Sequence, residues 1–337
     1  MNILVLDVAA SESGALTVLR QYHQLLQQDT ENHYYFCVSV PQLENGGNLT
    51  VCRFPWVKKS WLHRLWFEWF WVPKLVKQYH ISRVFSLENL ILRNLPCEKW
   101  IYLHHPIPFV DVSFSLIGDP LMWTYQNVVG KLMIASLRHA DHVIVQTNWM
   151  KAACIAKGHL AEAAIEVRQP EIPAEDVVVC TDRAAASTKL LYPATALKYK
   201  NHRLVLQALQ QMKDRGTIGD LEVEFTLDGQ ENPLARELLS DVQTHDLPVS
   251  FIGRLPREAL MERYAHRTLV FPSYIETFGL PLLEARRSNA LVIASDCPFS
   301  REILAGYDGA AFFDPFDATA LRTLLERLVQ NRGLTTA

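Results

Sequence analysis

The stretch FPSYIETFGLPLLEARRSNALVIASD, residues 271 to 296, decides the fold class. Leu269 to Phe271 is a short apolar strand that stops at Pro272, and Leu291 to Ala294 is a second one. Between them Gly279 supplies a permissive turn, and a helix starts around Pro281, where a proline's fixed φ suits the first helical turn. Strand, helix and strand in that order make a βαβ unit of a parallel sheet. The turn of Thr277, Phe278, Gly279 and Leu280 then aims free backbone N–H groups and the positive end of a helix dipole outward, which suits a phosphate.

The same alternation runs outward through the chain. Strand candidates recur at Ile3 to Val8, Tyr35 to Val40, Trp100 to Leu103, Val143 to Gln146, Leu190 to Tyr192, Val223 to Leu227 and Val249 to Ile252, separated by amphipathic stretches such as Leu16, Leu19, Tyr22 and Leu26. This predicts an α/β chain of two Rossmann-like, doubly wound domains with ligands at the carboxyl ends of their strands. Residues 171 to 187, with Pro173 and several acids but no sustained period, are expected to link a domain over 1–170 to one over 188–337. The last helix is expected to be available to pack back on the first domain. A length of 337 residues supports two cores, and 20% charged residues exclude disorder. A formal charge of −3 gives no pull toward nucleic acid. Six cysteines without a CxxC pair read as buried thiols, with no metal site.

Two carboxylates flank the turn, Glu276 before it and Glu284 within the following helix. Each can accept hydrogen bonds from vicinal hydroxyls, as on a ribose or hexose. With GLP after Phe278, and Val292 to Asp296 reading VIASD, this run resembles the retaining nucleotide-sugar glycosyltransferases of the GT-B fold, the glycosyl transferases group 1 family, whose hallmark is two glutamates separated by seven residues. The resemblance implies two facing domains. It places Glu276 on the donor sugar, Glu284 on the nucleotide ribose and Thr277 to Leu280 on the diphosphate. Asn289 and Leu291 stand where the family usually has Gly and Pro, and Asn tolerates the left-handed backbone such a turn needs.

Upstream, YPATALKYKNH (residues 192 to 202) runs from a strand through a loop into a helix opening at Asn201. Lys200 at a helix start can neutralise a departing diphosphate. This resembles the family's basic loop, so Thr195, Lys198 and Lys200 are assigned to the donor. Ala194 replaces an Arg common there, with Lys198 a substitute. The turn FIGRL implies Arg254 near the base or phosphates, and Gly14 after the first strand loosely resembles the family's glycine-bearing first loop. In the N-terminal half, IYLHHPIPF places His104 and His105 at a strand end, where a histidine can take a proton or hold a sugar. The resemblance favours His104 as the catalytic group and His105 beside the acceptor, with Gln146 and Thr147 lining the acceptor side.

One segment departs from the chain average. Between Phe54 and Trp71 stand five of the eight tryptophans, and from Arg53 to Lys77 six Lys or Arg face one acid, Glu68. A helix ending near Pro73 would keep a polar stripe at Ser60, Arg64 and Glu68 and be apolar elsewhere. Indole rings with a basic rim suit a membrane interface, which assigns Trp61, Trp66, Trp69, Lys58 and Lys59 to lipid. A core helix or a dimer interface is the alternative.

The expected activity is transfer of a hexose from a UDP- or GDP-linked sugar to a hydroxyl of a lipid-linked (polyprenyl diphosphate) or saccharide acceptor, with configuration retained and no cofactor, in surface polysaccharide assembly such as O-antigen. The expected location is the cytoplasmic side of the membrane, held peripherally. A catalytically silent GT-B subunit of a membrane assembly is the competing expectation.

Overall fold

A computed structural model describes residues 1–10, 13–91 and 94–330, in two compact units, Met1–Gln169 and Pro170–Ala337. Each is built on one wholly parallel sheet covered by helices.

The first sheet contains β1 (Asn2–Asp7), β2 (His33–Val38), β3 (Leu49–Arg53), β4 (Arg83–Ser86), β5 (Glu98–Tyr102), β6 (His142–Val145) and β7 (Ile165–Val167). Their spatial order is β3-β2-β1-β4-β5-β6-β7, so the winding reverses between β1 and β4. Side chains alternate between its faces. Ile3, Val5, Phe36, Phe85, Tyr102 and Ile144 point to the face covered by helix Ser13–Gln27 through Leu19 and Tyr22. Leu4, Leu6 and Val84 point to the other, under Phe67, Val72, Leu75 and Val76. Ile101, Leu103, Val143 and Val145 continue that second face under Met133, Leu137, Met150 and Cys154.

The second sheet contains β8 (Lys189–Tyr192), β9 (Glu222–Phe225), β10 (Val249–Phe251), β11 (Thr268–Phe271), β12 (Val292–Ser295) and β13 (Ala310–Phe313), in the order β10-β9-β8-β11-β12-β13. Its reversal lies between β8 and β11. Two interior strands, TLVF of β11 and VIAS of β12, are buried along their whole length, as nearly continuous apolar runs in a helix-covered parallel sheet should be.

Three segments can be placed. Residues 171 to 187 pack on the second unit: Ile172, Cys180 and Ala186 are buried, and the Cys180 N–H donates to the Ser288 carbonyl at 2.7 Å. The last helix, Ala318–Val329, packs against His202–Asp214 of its own unit, where the Thr217 hydroxyl donates to Glu326 at 2.8 Å. The aromatic helix does not end near Pro73. It runs from Trp61–Trp66 through a π turn at Phe67–Trp71 into Val72–Gln78. The π turn widens the ladder just where the proline ring would strike the carbonyl one turn back, and so lets the helix continue.

Candidate functional site

In the second unit the chemistry gathers where the winding reverses. The loop leaving β8 closes as a 3₁₀ turn at Lys198–Lys200, and Asn201, at φ 62°, turns the chain into helix His202–Asp214. The loop leaving β11 carries Glu276. The two loops are fastened together: the Tyr199 carbonyl accepts from the Tyr274 N–H at 3.1 Å and the Ser273 hydroxyl at 3.3 Å, and the Asn201 amide reaches the Pro272 carbonyl at 3.3 Å and that of Pro315 at 2.7 Å. The buried Tyr192 hydroxyl donates to the Lys200 carbonyl at 2.6 Å. Across this frame the Lys200 ammonium pairs directly with the Glu276 carboxylate, both side chains less than one-fifth exposed. Sequence positions 76 apart thus meet at the carboxyl edge of adjacent strands.

Gly279 stands beyond Glu276 at φ 85°, capping helix Leu280–Arg287, with Pro281 in that helix's first turn. The left-handed geometry is why glycine serves there. Phe278 is buried beneath the turn and Thr277 and Leu280 are half-buried. Thr195, Lys198 and Arg254 are exposed.

Glu284 lies inside the second unit. Its Oε1 accepts from Arg257 Nη1 at 2.8 Å and its Oε2 from the Tyr264 hydroxyl at 3.0 Å, while Arg257 Nε also reaches Asp176 at 3.0 Å. Burial pushes the Glu284 carboxyl above its ordinary range and Arg257 pulls it back. Arg257 and Tyr264 escape a motif-based reading, although their spacing of two helical turns puts both on one face. Asn289 takes φ 56°, as its side chain permits, and holds the Cys180 carbonyl at 3.1 Å and Arg183 Nη2 at 2.6 Å.

In the first unit, His104 and His105 follow β5. Asn89, after neighbouring β4, accepts the His104 N–H at 2.7 Å and places its amide 3.3 Å from Nε2. Asn89 itself stands at φ 63° and was not singled out by the sequence. Burial lowers both imidazoles to about 4, His104 with help from His105, so both are neutral near pH 7, and both leave Nδ1 buried without a partner. His105 stacks on Tyr125 at 5.4 Å between ring centres. Gln146 and Thr147, expected on the acceptor side, are buried: the Gln146 amide donates to the Tyr102 hydroxyl at 2.7 Å, and Thr147 caps helix Asn148–Ala156. Gly14 falls in the first turn of helix Ser13–Gln27, and Ser11 and Glu12 ahead of it lie outside the described residues.

The winding of the first sheet reverses at Asp7 and Glu88. Asp7 is buried, accepts the Ala10 N–H at 3.1 Å, and is pushed up to about 8 by burial and then by Glu88. Glu88 accepts the Ala9 N–H at 2.5 Å and binds Arg64, which also holds Glu68 at 2.6 Å. Arg64 and Glu68 are therefore no solvent stripe: the helix turns them inward to cancel charge at the strand ends. Lys58, expected on lipid, is exposed and donates to the Ala9 carbonyl at 2.5 Å. Trp61, Leu62, Leu65, Trp66, Trp69 and Phe70 form an exposed stripe on the opposite side, with Lys59, Lys74 and Lys77 exposed nearby. Among the described residues no group of three or more His, Cys, Asp or Glu is gathered as a metal site, and no helix is long and apolar enough to cross a membrane.

Residues 182–337, within the second unit, match the family described as Glycosyl transferases group 1. The O-antigen chain mannosyltransferase B of Escherichia coli is 29% identical over 164 residues, 48% of this chain and 42% of that protein. The O-antigen chain mannosyltransferase RfbU of Salmonella typhimurium is 31% identical over 96 residues, 28% of this chain and 26% of that one. The chain thus matches less than half the length of these curated relatives. Sucrose-phosphate synthase from Thermosynechococcus elongatus superposes with a TM-score of 0.78 at 17% identity, over 98% of this chain and 90% of that one, a likeness that establishes the GT-B fold.

Proposed function

We propose that the chain is a retaining glycosyltransferase that moves a hexose from a nucleoside diphosphate sugar to a hydroxyl of a lipid-linked or saccharide acceptor in surface polysaccharide assembly. The observation that carries this is the Lys200–Glu276 pair beside the left-handed Gly279 turn, at the winding reversal of the second sheet. Open α/β sheets bind ligands at such reversals.

Each group has a task. An arriving diphosphate competes with Glu276 for Lys200 and meets the N–H groups at the start of helix Leu280–Arg287, so charge building on the leaving group is stabilised. Glu276, released from Lys200, accepts hexose hydroxyls. Glu284 uses one lone pair of each oxygen on Arg257 and Tyr264, which leaves acceptor capacity for two vicinal ribose hydroxyls. His104, held by Asn89 and neutral, receives a hydrogen bond from the acceptor. The departing phosphate takes the acceptor proton during front-face attack. Lys198 and Arg254, both exposed, supply further positive charge for the phosphates, Lys198 where Ala194 leaves the loop without an Arg. Mannose is the first sugar to test, because both curated relatives are named mannosyltransferases.

The exposed tryptophan stripe with Lys59, Lys74 and Lys77 supports peripheral binding to an anionic membrane surface on its cytoplasmic side. Thermal shift with UDP and with GDP identifies the nucleotide, since a ligand at 100 times its dissociation constant stabilises by about 2.7 kcal/mol. Release of nucleoside diphosphate from a sugar donor excludes a silent binding subunit. Glu276→Ala should lower that release by about a hundredfold or more with an unchanged unfolding profile, and near-normal turnover would overturn the assignment.

A further inference from the structure

The first unit exposes a second apolar ridge that the sequence does not announce. Leu116, Ile117, Leu121, Tyr125, Val128 and Leu132 are exposed, Ile117 at 96% of its full surface. Leu121 to Leu132 lie on a helix that runs from Pro120–Thr124 through a π turn at Tyr125–Val129 into Gly130–Leu137, and Met133 and Leu137 of its last part point into the core. Between residues 112 and 137 the only charged side chains are Asp119 and Lys131.

This ridge shares a layer with the tryptophan stripe. The register pairs Leu4 with Val84, Ser86 with Ile101, and Ile101 with Val143, so the side chains beneath both helical segments leave the sheet on the same face. Ile91 packs against both clusters and joins them, and helix Ser13–Gln27 covers the opposite face. The ridge also touches His105, the candidate acceptor histidine. Tyr125 stacks on His105, and Gly130 passes so close to Pro108 that a Cβ there would lie 3.0 Å from its ring.

Resting on the membrane reading above, we propose that residues 116–132 are a second lipid anchor, which enters the acyl boundary of the same bilayer and sets the His104–His105 end of β5 at the interface. A hydroxyl carried on a membrane lipid would meet those histidines without leaving the headgroup region. The ridge is built of side chains that stand out into solvent, Leu121 and Leu132 at 60% or more of their full surface and Ile117, the most exposed, in a turn. A bilayer accepts such a shape, whereas a single hydrocarbon tail needs a groove and a protein partner needs a matched surface. The two anchors divide the work: the tryptophan stripe brings cations for anionic headgroups, and the ridge brings almost no charge, so its contribution should not depend on salt.

The test is co-sedimentation of the full chain with phosphatidylcholine vesicles, with and without phosphatidylglycerol, over a salt series. Ile117→Ser/Leu121→Ser/Leu132→Ser should weaken binding to both compositions by about tenfold and leave the salt slope unchanged. Ile117→Asp, a single change in a loop, should act in the same direction with no disturbance of the helix. Trp61→Ser/Trp66→Ser/Trp69→Ser should weaken binding chiefly to anionic vesicles. Normal binding by the ridge variants beside loss in the tryptophan variant overturns this inference and leaves the membrane reading standing. Failure of the parent to bind either vesicle overturns both. A dimer of the parent that the ridge variants dissociate assigns the ridge to a second copy and also overturns the inference.

Discussion

Replacing Asp7 by Asn should make the first unit more stable at neutral pH. Asp7 is 2% exposed at the end of β1, with the Ala10 N–H donating to its carboxylate and Glu88 nearby. Its carboxyl titrates at about 8 in the fold against 3.8 when exposed. In that window the folded state holds a proton that the unfolded chain has lost, so stability falls as pH rises from about 4 to about 8 and levels off above it. One pKa unit corresponds to about 1.36 kcal/mol, so the protein at pH 7 has given up about 4 kcal/mol relative to acid conditions. Asn keeps the oxygen that accepts the Ala10 N–H and carries no titratable proton. The Asp7→Asn variant should therefore match the parent near pH 4.5 and exceed it by about 2–4 kcal/mol at pH 7.5. Urea unfolding followed by tryptophan emission isolates the effect, because all eight tryptophans lie between residues 56 and 149, inside the first unit. Parallel pH profiles for parent and variant would refute the reasoning.

Two further outcomes follow from charges and backbone angles. Arg64→Ala leaves the Glu88 carboxylate, whose side chain is 3% exposed, without its cation, and should cost about 3–5 kcal/mol in the same urea assay; Arg64→Met with Glu88→Gln should recover most of that, and equal losses for both would show that packing rather than charge is at stake. Asn289→Ala places an alanine at φ 56° and removes the bonds to Cys180 and Arg183, whereas Asn289→Gly removes only the bonds; calorimetry should find the alanine variant of the second unit less stable by about 1–2 kcal/mol, and equal transitions would deny any role to the left-handed backbone.

What could be read from the sequence depended on whether a residue's partners were local. The strands β11 and β12 are apolar at all but one position each, Thr268 and Ser295, so their burial on both faces shows in the sequence itself. Edge strand β7, IEV, buries only Ile165, and nothing short of its pairing with β6 reveals it as a strand. The glycine turn and the left-handed Asn289 were legible because φ preference is a property of one residue. Pairings were not. Lys200 meets Glu276 only because β8 and β11 are neighbours, and Asn89 reaches His104 only because β4 lies beside β5. Strand order is a tertiary fact, and side chains that converge across it carry no common period.

The two exposed apolar stripes show a different limit. Amphipathic reasoning takes the apolar side of a helix as the buried side, which serves while each helix has one such side. Residues 61 to 78 have two: Phe67, Val72, Leu75 and Val76 face the sheet, while Trp61, Trp66 and Trp69 face away. Tryptophan and lysine made that second side conspicuous in composition. The helices over 120–137 have the same double character built from Leu, Val and Tyr, and there composition says nothing, since Leu121 and Leu137 are the same residue type with opposite surroundings. What separates them is the register of the sheet below. Met133 and Leu137 fill the space over Ile101 and Val143, so Leu121, Val128 and Leu132 are left outside. Contiguous exposed apolar surface of this kind marks an interaction site, and the proposed bilayer contact rests on this ridge lying in the same layer as the tryptophan stripe and against His105.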